Sequence, residues 1–429
     1  MCGIVGIFGK GIEDSAESLI DVMNSTLVHR GPDDSGIWKD LNNNIIFGHR
    51  RLAVLDLSKA GHQPMESKCG RYVICFNGEI YNHISLRSQL GLDKGWLGNS
   101  DTETMVTAFS FWGIKKTIEK LVGMFALAVW DKREKKLYLI RDRIGEKPLY
   151  YGWSKGKFIF GSELKAIKSL KGFNNAIDRD SLGLYLRHCY IPSPRTIYKD
   201  IYKLSPGCIL EVQLGNTFSK PSKTVTLPFS EGSFHINQYW SYKNVVQKGR
   251  ANLIEDEKVA LSYLEESLRE SIRLQSIADV PLGAFLSGGI DSSLIVSLMQ
   301  SESISPVHTY TIGFEDASFN EAIHAKKVAE HLNTNHTELY VSADDALSVV
   351  PLLSTLYDEP FGDSSQIPTY LVSKMAKEHV TVALSGDAGD ELFGGYNRHV
   401  NAPFLWKIIS SIPKGLRPQI STLMNLTPD

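Results

Sequence analysis

The sequence lacks any run of about 18 apolar residues, the length a helix needs to cross a bilayer, so no membrane span is expected. Its N-terminus has no basic stretch ahead of an apolar core, so no secretory leader is expected. An excess of one charge is missing too: 46 Lys and Arg face 48 Asp and Glu, a net −2. That balance argues against a nucleic-acid or membrane-surface partner. Cysteine is scarce. Cys2, Cys69, Cys75, Cys189 and Cys208 make five, an odd number, and none stands in a CxxC or Cys/His zinc spacing. Free thiols in a reducing cytoplasm fit that pattern. There is no internal repeat and no low-complexity tract. What is present is ordinary globular composition, 429 residues at 42% hydrophobic and 22% charged, with room for two or three domains.

The first half reads as short strands at Ile4–Phe8, Ile45–His49, Tyr72–Phe76, Phe125–Trp130, Leu137–Ile140 and Phe158–Gly161. Most are rich in β-branched or aromatic residues and have turn formers nearby. Helices are predicted at Ser15–Thr26 and Thr102–Trp112, the second behind "SDTET", which offers a cap and early acids. Strand clusters with interspersed helices predict an antiparallel α+β layer structure. Residues 213–254 are polar and irregular and read as a linker. Then the rhythm changes: helix Glu255–Gln275, strand Val280–Leu286, helix Leu294–Met299, strand Val307–Phe314, helix Glu321–Leu332, strands His336–Val341 and Val380–Leu384. Alternating strand and helix predicts parallel βαβ units in a doubly wound sheet. The expected division is 2–212, a linker over 213–254, and 255–429.

The chain opens "MCGIVG". Removal of Met1 would leave Cys2 with both a thiol and an α-amine, whose reference pKa values lie near 8.5 and 8. Nucleophile and base then share one residue. "FNGEIYN" supplies Asn77 and Gly78, an amide and a backbone N–H able to hold an oxyanion. "GHRRLAVLD" places Arg50 and Arg51 in succession at a strand end. At most one can face inward, where its guanidinium would clamp a carboxylate. "SDTE" supplies Asp101, suited to a substrate ammonium, and "HRGPDDSG" offers a tight turn.

Farther on, "FLSGGIDSS" (Phe285–Ser293) follows a strand and opens a helix, with glycines, hydroxyls and free N–H groups for a phosphate. No lysine follows, so this is not the GxxxxGK[ST] loop. Asp291 inside such a loop makes sense as a magnesium ligand. "LSGDAGDELFGGY" carries Asp387 and Asp390, three apart, which could face one helical turn and serve metal or phosphate.

Taken together, "MCGIVG", "HRGPD", "HRRL", "FNGEIYN" and "SDTE" resemble the class II, N-terminal-nucleophile glutamine amidotransferase domain. "SGGIDSS" resembles the pyrophosphate loop of ATP pyrophosphatases. The pair resembles the glutamine-hydrolysing asparagine synthetase family, carbon–nitrogen ligases with glutamine as nitrogen donor. The resemblance implies an Ntn-hydrolase four-layer αββα sandwich followed by a Rossmann-like parallel-sheet ATP-pyrophosphatase domain. It implies catalysis by Cys2, with Asn77 and Gly78 at the oxyanion. It puts glutamine on Arg50, Val54, Glu79 and Asp101. ATP falls to Leu286, Ser287, Gly288, Gly289, Asp291, Ser292, Ile312, Ser385 and Gly386, with Ile312 inside "YTIGFED" (Tyr310–Asp316). Asp387 goes to the adenylated intermediate, and Asp291 and Asp390 to Mg2+. "RDRIGEKPLYY" and "FGSELKA" are expected to define the fold. The implied substrates are glutamine, ATP and aspartate, and family resemblance alone implies a homodimer.

Two departures stand out. Ala388 occupies a position that is often glycine in the family, so a positive φ there would strain it by about 1 kcal/mol. The family's second domain also normally continues past Asp429, which makes the synthetase half read as truncated. The alternatives are an amidotransferase acting on another carboxylate, such as a uronic acid in surface polysaccharide, and a glutaminase-only protein. Amidotransferases that make amino sugars or purine precursors share the first half but are disfavoured by "SGGIDSS". β-Lactam-forming relatives are disfavoured by Cys2.

Overall fold

A computed structural model of the chain describes residues 1–12, 16–91, 95–213, 220–222, 225, 227–314 and 320–424. Its contacts divide it into two compact units, one of Met1–Pro281 with Ala343–Val382, the other of Leu282–Ser342 with Ala383–Asp429.

The first unit is built on two antiparallel sheets. One contains β1 (Gly3–Phe8), β2 (Asp34–Asp40), β3 (Ile45–Arg51), β8 (Tyr150–Ser154), β9 (Lys157–Gly161) and β10 (Ile201–Lys203), in the order β10-β8-β9-β1-β3-β2. The other contains β4 (Met65–Glu66), β5 (Tyr72–Ile80), β6 (Gly123–Asp131), β7 (Lys136–Arg141), β11 (Cys208–Gln213), β12 (Phe229–Glu231) and β13 (Phe234–Gln238), in the order β12-β13-β11-β7-β6-β5-β4.

Strand alternation sorts the side chains into layers. On β6, Ala126, Ala128 and Trp130 join Ile4, Phe8, Phe47 and Phe160 in one apolar cluster between the sheets. Their neighbours Phe125, Leu127 and Val129 face the opposite way, into a cluster with Met105, Phe109 and Ile118. Those last residues come from α3 (Asp101–Trp112) and α4 (Ile114–Lys120), beside α2 (His83–Leu90). On the far side Val5, Ile7 and Ile159 pack with Ile20, Met23 and Ile167 of α1 (Ala16–Ser25) and α5 (Leu164–Lys168). The result is the expected αββα stack. Because the central strands β1, β3, β5, β6, β7 and β9 are buried along most of their length on both faces, they read as nearly continuous apolar runs, which is why they were legible. Ser15, the expected start of the first helix, lies outside the described residues.

Residues 213–254 are not a plain linker. β13 pairs antiparallel with β11, and Phe229, Phe234 and Ile236 are buried in the intersheet core. Frequent Ser, Thr, Asn and Lys hide this short alternation. Helices α6 (Arg179–His188), α7 (Tyr242–Ala251) and α8 (Glu257–Gln275) also belong to this unit. So do α11 (Ala343–Val349), α12 (Leu353–Leu356) and α13 (Gln366–Ala376). The expected domain 255–429 therefore contributes to both units.

In the second unit β14 (Leu282–Phe285), β15 (His308–Phe314), β16 (Asn335–Val341) and β17 (Val382–Leu384) lie in the order β16-β15-β14-β17. The β14–β15 and β15–β16 pairings are parallel, as the strand–helix rhythm predicts. Helices α9 (Ile290–Glu302) and α10 (Ala322–Leu332) make the crossovers. Helices α14 (Gly389–Phe393), α15 (Asn397–Ser411) and α16 (Arg417–Met424) follow. Glu315 and Asp316 of "YTIGFED" lie outside the described residues. Among the described residues no helix is long and apolar enough to cross a membrane.

Phe234→Ala should lower stability by about 3–5 kcal/mol in a urea melt, the cost of emptying a buried aromatic site. A side chain in a linker would shift the midpoint by no more than about 0.5 kcal/mol.

Candidate active sites

β1 runs between β9 and β3 and delivers Cys2 to the end of the sheet. Three contacts seat it. The Ile4 N–H donates to Ser162 Oγ at 2.9 Å. The Cys2 carbonyl accepts from Arg30 Nε at 2.9 Å. The thiol points at the Leu52 carbonyl, 3.7 Å away. Arg30 is held in turn by Glu163 at 2.7 Å, and Glu163 also pairs with His29 at 3.0 Å and Lys165 at 2.8 Å. Burial alone would raise the Glu163 carboxyl, but hydrogen bonds and charge from His29, Arg30 and Lys165 outweigh it and hold the pKa at about 2. Burial pushes the Cys2 thiol up and draws the Met1 amine down to about 6.

Asn77 and Gly78 end the buried stretch of β5. The Asn77 carboxamide is fully buried, and neither its Nδ2 nor its Oδ1 has a partner. Leaving a buried amide unpaired costs about 1–3 kcal/mol. Gly78 must be glycine, because a methyl there would stand 2.0 Å from the Met124 carbonyl oxygen.

The two arginines separate as strand geometry requires. Arg51 is buried and donates to the carbonyls of Ser58 at 3.0 Å, Leu55 at 3.3 Å and Asp56, so it braces the loop after β3. Arg50 lies opposite Gly3 in the β1–β3 register, and its buried Nε has no partner. Of the two, only Arg51 has its guanidinium committed to loop carbonyls. Asp101 opens α3 behind the Ser100 cap, whose hydroxyl accepts from the Glu103 N–H at 3.2 Å. One Asp101 oxygen accepts from the Ile80 N–H at 2.9 Å, and burial raises the carboxyl to about 6. Burial, then the Asp101 charge, raise Glu79 to about 7. Val54 is buried, and its carbonyl already accepts from the Asp279 N–H at 3.0 Å.

In the second unit the loop after β14 is shaped by glycine and serine. Gly288 has φ +79, and a methyl on it would come within 2.6 Å of the Ala325 nitrogen. Ser292 Oγ accepts from the Ser287 N–H at 3.1 Å and bonds Ser287 Oγ at 2.9 Å, so its hydroxyl braces the loop. The buried Ser293 hydroxyl has no partner. Leu286 donates its N–H to Tyr310 on β15 at 2.9 Å, and Ile312 lies two residues farther along that strand.

The second acidic motif closes on this loop. A methyl at Gly386 would stand 2.7 Å from the Ser292 nitrogen, and one at Gly389 would stand 2.5 Å from the Asp291 carboxylate. Glycine there lets the two segments touch. Asp390 sits in the first turn of α14, whereas Asp387 precedes the helix in a turn, its carboxylate accepting from Ser385 Oγ at 3.0 Å. The expectation that Asp387 and Asp390 share one helical turn is corrected accordingly: the helix begins only at Gly389. Ala388 has φ +76, the left-handed backbone that glycine would adopt freely. Among the described residues no cluster of three metal-ligating side chains occurs.

Sequence reasoning missed the roles of Arg30, Glu163, Lys165 and Asp279. Arg30 and Glu163 stood within noted segments, "HRGPDDSG" and "FGSELKA", but their pairing across 133 positions has no local signal. The fold-defining reading of "RDRIGEKPLYY" fits the Asp142 carboxylate, which accepts from the N–H groups of Gly145, Glu146 and Lys147 at 2.6, 2.9 and 2.9 Å.

Residues 1–222 match the glutamine amidotransferase domain family, and residues 263–427 match the asparagine synthase family. A putative glutamine-hydrolysing asparagine synthetase of Methanocaldococcus jannaschii is 38% identical over 97% of this chain and 79% of its own length. Asparagine synthetase 1 of Bacillus subtilis is 34% identical over all of this chain and 64% of its own length. A putative synthetase of Mycobacterium tuberculosis is 32% identical over all of this chain and 65% of its own length. The chain thus spans just under two thirds of the length of these bacterial relatives.

Two outcomes follow from the sites. The Glu163 pKa is depressed, so its stabilisation is full above about pH 4.5 and disappears as pH falls toward about 2. Glu163→Gln should therefore destabilise by about 3 kcal/mol at pH 7, through the buried guanidinium it orphans. The gap to the wild-type urea midpoint should close across that acid window. Ala388→Gly should stabilise by about 0.5–1 kcal/mol, the relief of left-handed strain less the added freedom of the unfolded chain.

Proposed function

The chain belongs to the glutamine-hydrolysing asparagine synthetase family, and on that premise we propose that it transfers glutamine nitrogen to ATP-activated aspartate. The observation that carries the reading is the unpartnered, fully buried Asn77 carboxamide at a site that also holds Cys2 and the free Arg50 Nε. Once Met1 is removed, Cys2 carries both the thiol and an α-amine whose ordinary pKa lies near 8. That amine can accept the thiol proton, so nucleophile and base share one residue.

The Cys2 thiolate attacks the side-chain carbonyl carbon of glutamine. Asn77 and the Gly78 N–H take up the negative charge that develops on the oxygen. Arg50 pairs with the substrate α-carboxylate and Asp101 with its ammonium. Val54 and Glu79 contribute backbone contacts. The protonated amine returns its proton to the departing nitrogen, ammonia leaves, and water cleaves the thioester to glutamate.

At the second site the loop Leu286–Ser292, with Ile312, Ser385 and Gly386, would cradle ATP. A Cβ at Gly288 or Gly386 would run into neighbouring backbone, so glycine is what lets these segments come together. Asp291 and Asp390 suit Mg2+, which takes one or two carboxylates together with phosphate oxygens and neutralises their charge. The aspartate side-chain carboxylate attacks the α-phosphorus and expels pyrophosphate, with Asp387 at the adenylated carboxylate. Ammonia then displaces AMP and leaves asparagine.

The acids of "DEPFGDSSQIPTY" would repel an anionic acceptor if they were free. Asp358 instead pairs with Lys165 at 3.5 Å, and Glu359 pairs with Lys203 at 2.5 Å and accepts from the Ile197 N–H at 2.7 Å.

The test is one assay of the purified chain with glutamine, aspartate and Mg-ATP, reading glutamate, pyrophosphate and asparagine separately. All three should appear. Cys2→Ala should abolish glutamate while ammonium-driven asparagine formation persists. Asn77→Ala should lower the glutaminase kcat by about 10²–10³-fold. Glutamate without pyrophosphate would leave a glutaminase alone. Pyrophosphate with a uronic acid but not with aspartate would change the acceptor.

A further inference from the structure

The loop that follows β3 carries two of the groups invoked above, the Leu52 carbonyl beside the Cys2 thiol and Val54. It is an irregular segment with a left-handed, non-glycine residue, Asp56, at φ +58. Such a residue persists only where its surroundings hold it. Its carboxylate accepts from the Ser58 N–H and hydroxyl at 3.1 and 2.6 Å, and from the Asn99 N–H at 2.7 Å. Its main chain is gripped by a residue far along the sequence. The Asp279 N–H donates to the Val54 carbonyl at 3.0 Å, and the Asp279 carboxylate accepts from the Asp56 N–H at 2.8 Å. Donor and acceptor of one residue thus close on residues 54 and 56 like a short stretch of ladder.

We propose that Asp279 is a positioning residue for glutamine. It fixes the backbone of residues 52–56 so that the Leu52 carbonyl keeps its place beside the Cys2 thiol and Val54 keeps its place in the loop. The inference rests on the reading of the first site as a glutaminase. Asp279 is also two residues short of β14, the strand that leads into the Leu286–Ser292 loop. One short peptide therefore bears the clamp at its start and the phosphate loop at its end.

The carboxylate acts as an acceptor, so an amide oxygen can replace it and a methyl cannot. In the full chain, Asp279→Ala should raise the KM for glutamine hydrolysis about threefold to tenfold, the value of one net hydrogen bond. kcat should change little. Asp279→Asn should bring KM back to within about twofold of wild type, since the acceptor is restored. Ammonium-driven amide formation should be equal in all three proteins. Hydrogen exchange at the amides of residues 54–58 should quicken in the alanine variant and not in the asparagine variant. An unchanged KM with unchanged exchange in Asp279→Ala would overturn the proposal. So would a parallel loss of ammonium-driven synthesis, which would mark a general structural defect. Should the wild-type chain fail to hydrolyse glutamine, the glutaminase reading fails on its own, and the exchange measurement still decides whether Asp279 holds the loop.

Discussion

The grip of Arg30 on the Cys2 carbonyl is the contact on which the first site depends. A chain terminus normally frays, because nothing beyond it holds the backbone. Here β1 is hydrogen-bonded on both edges, and the guanidinium pins the carbonyl of the reactive residue itself, in the Cys2–Gly3 peptide. Glu163 keeps that guanidinium in place and compensates its charge, and Lys165 and His29 compensate Glu163 in turn. A buried ion pair contributes little net stability, but removing one member is expensive. The arrangement is better understood as a fixture for position than as a source of fold stability.

Around that fixture, polar groups are left deliberately short of partners. Asn77 has none for either end of its amide, and Arg50 has none for Nε. Two carboxyls nearby, Asp101 and Glu79, are raised toward neutrality by burial. Each feature costs free energy that the rest of the fold must offset. The second site has a different character. It is formed by close backbone approach, with Gly288, Gly386 and Gly389 removing the side chains that would keep the loops apart. It tolerates one strained residue, Ala388, for the same reason: the turn, not the side chain, is what matters there.

Much of this was legible in the residues themselves. Strands buried on both faces announced themselves as apolar runs, and the capped start of α3 matched its "SDTET" signal. The alternation rule foresaw that only one of Arg50 and Arg51 could serve a ligand, although only the structure shows Arg51 committed to carbonyls. Three things were not legible. β12 and β13 carry too few apolar residues to stand out from a linker. The bracing of the loop by the Ser292 hydroxyl, which bonds Ser287, left no signal in the sequence. The long-range partners Glu163, Lys165, Lys203 and Asp279 had no local pattern at all, since pairing over such separations leaves its mark only in three dimensions.

The interleaving of the two units has a consequence for how the protein comes to be. The first unit needs Ala343–Val382, and the whole of Leu282–Ser342 is translated before that segment emerges. Until then Lys165 and Lys203 lack Asp358 and Glu359, and the Ile197 amide waits for an acceptor 162 positions downstream. A nascent chain that has finished both sheets is thus still incomplete at the ribosome, and closure awaits a late segment. No single proteolytic nick can release either unit whole, and neither can be expressed alone by choosing one stop codon.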